Sequence, residues 1–127
     1  MSKKPNEAVR TFNGSDARIS GDIQFVGNAL IDGYLEGNVK AEGSDSKLTI
    51  GERGHVKGSV VVPHLLVNGT IEGEVRVAER LKLGPKARII GDVQYNLLEM
   101  SIGARVDGKL IYKSEVDIVQ KDKESES

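Results

Sequence analysis

The chain has 127 residues, a formal net charge of −1 and no Cys or Trp, and its only aromatic side chains are two Phe and three Tyr. This length allows one domain with tails, and the lack of Cys excludes disulfides and thiolate metal ligands. The balanced charge lacks the positive excess that nucleic-acid binding usually requires, and no apolar run approaches the ~20 residues that span a membrane.

One short motif, small–x–aliphatic–x–Gly–x–aliphatic, recurs six times along the chain. In chain order the copies occupy residues 17–25, 31–41, 54–62, 67–77, 87–95 and 102–112. Their glycines, the core glycines, are Gly21, Gly37, Gly58, Gly73, Gly91 and Gly108, in steps of 16, 21, 15, 18 and 17 residues. Apolar and polar residues alternate within each copy, which indicates a strand with one buried face. A regular spacing between copies is typical of a repeat architecture.

A coil of this length holds about three short strands and three corners, and neighbouring coils pair ~4.8 Å apart. The sequence therefore predicts an all-β fold, a right-handed parallel β-helix of about six coils over residues 12–112. Residues 1–11 and 113–127 lack the repeat and are predicted to be disordered tails. The alternative is a left-handed hexapeptide helix, also near 18 residues per coil. It fits the spacing of Ile50, Val56 and Val62, but a strict hexad fails in every other coil.

Three features interrupt the repeat. Residues 43–46, in the longest step, are predicted to form a protruding loop. Pro63 and Pro85 are predicted at corners, because proline cannot donate to an inner ladder. Copies three and five enter through longer corners, at residues 50–54 and 83–87, so the full repeat is a pair of coils.

The polar residues do not form a recognisable catalytic set. His55 and His64 are the only histidines, fewer than the three or four ligands of a zinc site, and we expect both to be solvated. Six carboxylates in outward phase are expected to form cross-coil ion pairs with neighbouring Lys and Arg: Asp32, Glu36, Glu72, Glu74, Asp92 and Asp107. The Gly-rich stretches lack the Lys-Ser/Thr of a phosphate loop. We therefore predict no enzymatic activity, no cofactor, no metal and no nucleotide.

The six Gly-polar-aliphatic steps, with a short Pro-bearing tail before them and a charged tail after them, resemble the bactofilins over about residues 12–112. That resemblance implies a bacterial cytoskeletal protein whose right-handed β-helix polymerises without nucleotide. It also implies tails that recruit membranes or cell-wall-modifying enzymes. Some members carry a hydrophobic N-terminal targeting stretch, which residues 1–11 here lack. The candidate membrane or partner contacts are instead Lys3, Lys4 and Arg10, and the expected location is the cytoplasm or the inner face of its membrane.

The ends of the rod carry the functional hypothesis. Each end of a β-helix shows unpaired N–H and C=O groups and a patch of core, and soluble solenoids cap such ends. No amphipathic helix precedes Phe12 or follows Tyr112. The candidate polymer interface is Phe12, Met100, Leu110 and Tyr112, in a scaffold that stacks end to end into filaments. Alternatively, tail residues fold over the ends, among them Val9, Val116, Ile118 and Val119.

Two other functions remain open at this stage. One is a hexapeptide-type enzyme, an acyltransferase or a carbonic anhydrase-like lyase, which would form a discrete trimer. The other is a binding rod that does not polymerise.

Overall fold

The computed structural model describes residues 9–13, as backbone, and residues 18–113. These residues form sixteen strands and no helix, and the strands pair in parallel in two sheets of ten and six strands. The ten-stranded sheet bends, so the strands make three flat faces. The predicted all-β solenoid of about six coils is confirmed.

The three faces hold six strand segments each, because β9 and β11 each cross a corner and contribute to two faces. The first face contains β2 (Arg18–Ser20), β5 (Tyr34–Glu36), β8 (His55–Lys57), β10 (Thr70–Glu72), β12 (Arg88–Ile90) and β15 (Arg105–Asp107). The second contains β3 (Ile23–Phe25), β6 (Val39–Ala41), the starts of β9 (Val60–Val67) and β11 (Val75–Leu83), β13 (Val93–Tyr95) and β16 (Leu110–Tyr112). The third contains β1 (Val9–Asn13), β4 (Asn28–Ile31), β7 (Lys47–Ile50), the ends of β9 and β11, and β14 (Leu97–Met100).

Each coil runs from the third face to the first and then to the second. On the first face, successive pairings advance along the chain by 16, 21, 15, 18 and 17 residues. These are the steps between the core glycines, so the glycine spacing in the sequence is also the register of the sheet.

The core is a column of aliphatic side chains on each face. Leu35, Val56, Ile71 and Ile89 lie in register on the first face and are fully buried. Because side chains alternate across a strand, the intervening residues point outward and most are polar. Every inward side chain in the middle of the rod therefore packs between its equivalents in the coils before and after it.

The core glycines form a column of their own at the corner between the first and second faces. All six have positive φ, from 132° to 156°, a conformation that other residues rarely adopt. A Cβ built on Gly73 would lie 2.0 Å from the carbonyl oxygen of Gly58 in the preceding coil, and the later core glycines are equally crowded. Gly21, in the first coil, would meet nothing within 4 Å. The stacking of backbone on backbone, more than the corner bend alone, requires glycine here.

The predicted interruptions lie where expected, with one difference. Gly43, Ser44 and Asp45 protrude into solvent, while buried Ser46 accepts a hydrogen bond from the Gly27 N–H over 3.0 Å. Pro85 lies in an exposed turn. Pro63 lies at a corner too, yet strand β9 continues through it.

The first strand begins before the predicted start of the solenoid at residue 12. β1 starts at Val9 and pairs in parallel with β4, with a register shift between Thr11 and Asn13. Apolar and polar residues do not alternate clearly in this segment, so residues 9–11 were predicted to belong to the tail. The rest of that tail, residues 1–8, and residues 114–127 of the other tail lie outside the described residues.

Replacing Gly73 with Ala should destabilise the rod far more than replacing Gly21. Both changes force Ala into positive φ, which costs about 1–3 kcal/mol, but only Gly73→Ala also drives a methyl group into a carbonyl oxygen of the coil below. We expect the free energy of unfolding to fall by more than about 3 kcal/mol for Gly73→Ala and by about 1–2 kcal/mol for Gly21→Ala. Denaturant unfolding followed by circular dichroism measures both, and equal losses would show that stacking does not constrain the corner.

Candidate functional site: the C-terminal end of the solenoid

The sixth coil leaves a ladder edge open on all three faces. It consists of β14, β15 and β16, which pair with β11, β12 and β13 of the coil before. No described strand pairs with their other side. Unpaired edges of this kind are a template for pairing with another chain.

The inward side chains of this coil are apolar and partly exposed, and we call them the C-terminal end layer. Its members are Leu98, Met100, Ala104, Val106, Leu110 and Tyr112. The exposed fraction is 46% for Met100, 40% for Leu110 and 62% for Tyr112. In the preceding coil the equivalents of Met100 and Leu110, which are Leu83 and Val93, are fully buried. Among the described residues a coil lies on each side of Leu83 and Val93, whereas none lies above the end layer.

Contacts with the fifth coil hold Tyr112 on this end. Its ring meets that of Tyr95 edge to face, with centroids 6.0 Å apart and an interplanar angle of 61°. The following N–H, of Lys113, donates to the Tyr95 carbonyl oxygen over 2.8 Å. Aromatic pairs of this geometry stabilise by about 0.5–1.5 kcal/mol beyond burial. The tyrosine is therefore presented in a fixed position.

The N-terminal end is open as well. Its strands β1, β2 and β3 each pair on one side only among the described strands. In this first coil Ile19 and Ile23 are partly buried and Phe25 is 5% exposed. The described side chains at this end are therefore less exposed than Leu110 and Tyr112 at the other.

Three of the four predicted interface residues lie together in one layer: Met100, Leu110 and Tyr112. Phe12 lies in β1 at the opposite end, and its side chain is outside the described residues. Leu98 and Val106 belong to the same layer but were not among the predicted interface residues. The signal was present, because each follows an equivalent apolar residue by 17 positions, at Leu81 and Ile89.

His55 differs from the solvated histidine that we expected. Its Nε2 lies 2.8 Å from Oε2 of Glu72, and its ring centroid is 5.1 Å from that of Tyr34. The guanidinium carbon of Arg18, in the first coil, lies over the Tyr34 ring, 4.5 Å from its centroid. His55 thus joins four coils on the outer side of the first face. Among the described residues, no cluster of three or more His, Asp or Glu is placed to hold a metal ion.

Two of the six carboxylates expected in cross-coil ion pairs accept hydrogen bonds from the backbone of the next coil. Asp92 accepts the N–H of Lys109 over 3.0 Å, and Asp32 accepts that of Arg53 over 3.4 Å. Asp22, outside the predicted set, likewise accepts the N–H of Asn38. Arg88 and Asp107 do approach as an ion pair, with 3.8 Å between Nη2 and Oδ2. Asp22 and Asp92 each follow a core glycine and link their corner to the backbone of the next coil. The alternation of apolar and polar residues did not predict this role.

Within residues 9–13 and 18–113, no helix exists that could cross a membrane.

Comparison with known proteins identifies the family. Residues 11–111 match the family model described as "Bactofilin: Polymer-forming cytoskeletal". No curated protein and no solved structure matches the chain. The matched range coincides with the solenoid from β1 to the last strand, and it covers well over half of the chain. The protein therefore belongs to the bactofilin family of polymer-forming cytoskeletal proteins.

Proposed function

We propose that this protein is a scaffold whose rods stack end to end into filaments, with the C-terminal end layer as one contact surface. The observation that carries the proposal is the partial exposure of six adjacent inward apolar side chains beside three open strand edges. A second copy offers open strand edges at both of its described ends.

The energetics favour association but leave little margin. Six side chains that each bury roughly 40 Å², at about 25 cal/mol per Å² on both partners, give on the order of 10 kcal/mol before association costs. Those costs are about 4–15 kcal/mol. Hydrogen bonds along the joined edges add to the gain. A single unpaired charge buried in the layer would remove it.

The filaments would need no nucleotide, because the contact consists of apolar side chains and backbone edges. We expect protein freed of nucleotide and metal to form large assemblies that sediment at tens of micromolar. Addition of ATP, GTP or a chelator should not change the pelleted fraction. A monodisperse monomer under these conditions would refute end-to-end assembly.

Arginine in the C-terminal end layer should abolish filaments and preserve the fold. Tyr112→Arg and Leu110→Arg each put a charge where a partner must seat, while in the free rod the guanidinium reaches solvent. We expect a monomeric species by light scattering with an unchanged β-type circular dichroism spectrum.

Two arginine controls separate the end contact from the fold. Ile111→Arg changes the same strand β16 but points outward, beside Gln94, and should still assemble. Val75→Arg puts the charge at the equivalent of Leu110 in a fully buried middle coil and should unfold the protein. Normal filaments from both Tyr112→Arg and Leu110→Arg would move the interface to the N-terminal coil or to a tail.

The tails are proposed to link filaments to partners, such as the inner membrane surface or cell-wall-modifying enzymes, and so to organise cell shape. Lys3 and Lys4 would favour anionic lipid by at most about 1 kcal/mol each. Deleting residues 1–8, which spares β1, should leave assembly intact and weaken co-sedimentation with anionic liposomes by up to about 30-fold. Undiminished liposome binding by this deletion would show that the tail is not the lipid contact.

A further inference from the structure

We propose that rods of this protein also pair sideways, with the third face of one copy lying against an acidic corner of another. This contact uses the sides of the rod, whereas stacking uses its ends. It depends on the proposed stacking, because filaments multiply a contact that is weak between single rods.

The outer side of the third face is basic. Its described charged side chains are three bases and one acid, a net charge of +2 with His64 counted as neutral: Lys47, Arg80, Lys82 and Glu99. Lys47, His64 and Arg80 stack in one register column. Glu99 is confined to the last coil, where its Oε1 lies 3.9 Å from Nη1 of Arg80. The third-face strands of coils two to five carry no acid, and we call this surface the basic face.

An acidic ridge runs along the corner between the first and second faces. It consists of the twelve residues that directly precede or follow the core glycines. Six of them are acids and two are bases, a net charge of −4: Asp22, Glu36, Glu72, Glu74, Asp92 and Asp107, with Lys57 and Lys109. Seven of these eight side chains are exposed and one is half-buried. The ridge therefore presents its charge to solvent.

Some of the ridge charge is offset within the rod. Lys57 lies in register between Glu36 and Glu72, and Oδ2 of Asp107 lies 3.8 Å from Nη2 of Arg88. The acids still outnumber the bases of the ridge, so its net charge stays negative.

The basic face and the acidic ridge lie on opposite sides of the rod. Each coil has three sides, so the corner between two faces lies across from the third face. A side of four or five residues spans about 15 Å, which exceeds the screening length of about 10 Å at 0.1 M salt. The two patches therefore do not neutralise each other within one rod.

These charges favour a second copy as the occupant, because the same chain carries both complementary patches. Pairing of face with ridge is heterologous. The ridge of the second copy stays free for the basic face of a third copy, so the contact repeats without closing. An anionic lipid surface would use the basic face alone and leave the ridge without a role.

One sideways contact is weak, since exposed ion pairs contribute little and are screened by salt. Six coils at ~4.8 Å make a rod about 30 Å long, so a filament repeats the contact at that interval. Repeated contacts along two filaments combine as in other multivalent binding. Free rods should therefore stay unpaired, while filaments gather into sheets or bundles at low salt.

Charge reversal tests this pairing in filaments. Lys47→Glu with Lys82→Glu reverses the basic face, and Glu36→Lys with Glu74→Lys reverses the ridge, all at exposed positions. A low-speed pellet collects bundles and a high-speed pellet collects single filaments. Each double variant should lose bundles by about tenfold or more and keep the high-speed pellet and the β-type circular dichroism spectrum.

Two rescues test the geometry of the contact. The variant with all four substitutions exchanges the signs of face and ridge, so complementarity returns and bundles should return with it. Preformed filaments of the two double variants should likewise bundle with each other when mixed, although neither bundles alone.

The matched control changes net charge away from the basic face. Lys40→Glu with Lys86→Glu makes the same change in net charge on the second face and at the corner between the third and first faces, and these filaments should bundle at least as well as the unmodified protein. Salt near 1 M, with a screening length of about 3 Å, should disperse bundles and spare filaments, since the proposed end contact is apolar.

Equal bundling by the unmodified protein and both double variants would overturn the sideways pairing, as would bundles that persist in high salt. Failure of both rescues would overturn the contact between face and ridge. If face reversal leaves bundling unchanged but abolishes co-sedimentation with phosphatidylserine vesicles, the basic face belongs to a lipid surface and the pairing is wrong.

If no variant pellets at high speed, the stacking proposal fails instead. The same variants are then compared as free rods by the second virial coefficient from light scattering at low salt. The unmodified protein and the fourfold variant should attract their own copies more than either double variant does. Equal coefficients would overturn the sideways pairing independently of stacking.

Discussion

Every coil of this rod covers the coil before it and is covered by the coil after it. The inward side chains within one coil cannot bury one another, because three strands of three or four residues enclose too little volume to make a core. Burial comes from stacking at ~4.8 Å, and it reaches completion only where a coil has two neighbours. The fully buried columns in the middle and the exposed Tyr112 at the end are two results of this one constraint.

The same constraint fixes the corners. At the turn from the first to the second face, each core glycine beyond the first rests on the carbonyl oxygen of the glycine below, leaving no space for a methyl group. Asp22, Asn38 and Asp92 then fasten the next coil through its backbone N–H. These bonds tie corners together without a charged partner. At these corners the short polar side chains accept hydrogen bonds from the backbone and do not form ion pairs.

Much of this fold was predictable from the sequence. Stacked coils pair residues that lie one repeat apart, so the spacing of the motif equals the register of the sheet. The glycine steps gave the coil number and every pairing on the first face, and Leu110 and Tyr112 followed as end residues. The repeat pattern did not predict features that depend on one specific contact. β1 has no clear alternation, so its pairing with β4 was not foreseen. His55 has an outward position like any other, and only the stacked register brings it to Tyr34 and Glu72.

Inner coils and end coils separate folding from association. Ala29 and Ile31 in the second coil are buried between β1 and β7, so they contribute to the stability of the free rod. Among the described residues, Leu110 and Tyr112 lie over the coil below and have no coil above them, and a partner in the proposed stack would cover what they expose. In the proposed stack, substitutions in that last layer would change the affinity between rods and leave most of the core untouched. Such a solenoid could adjust its assembly through one coil, since the other five already hold the fold.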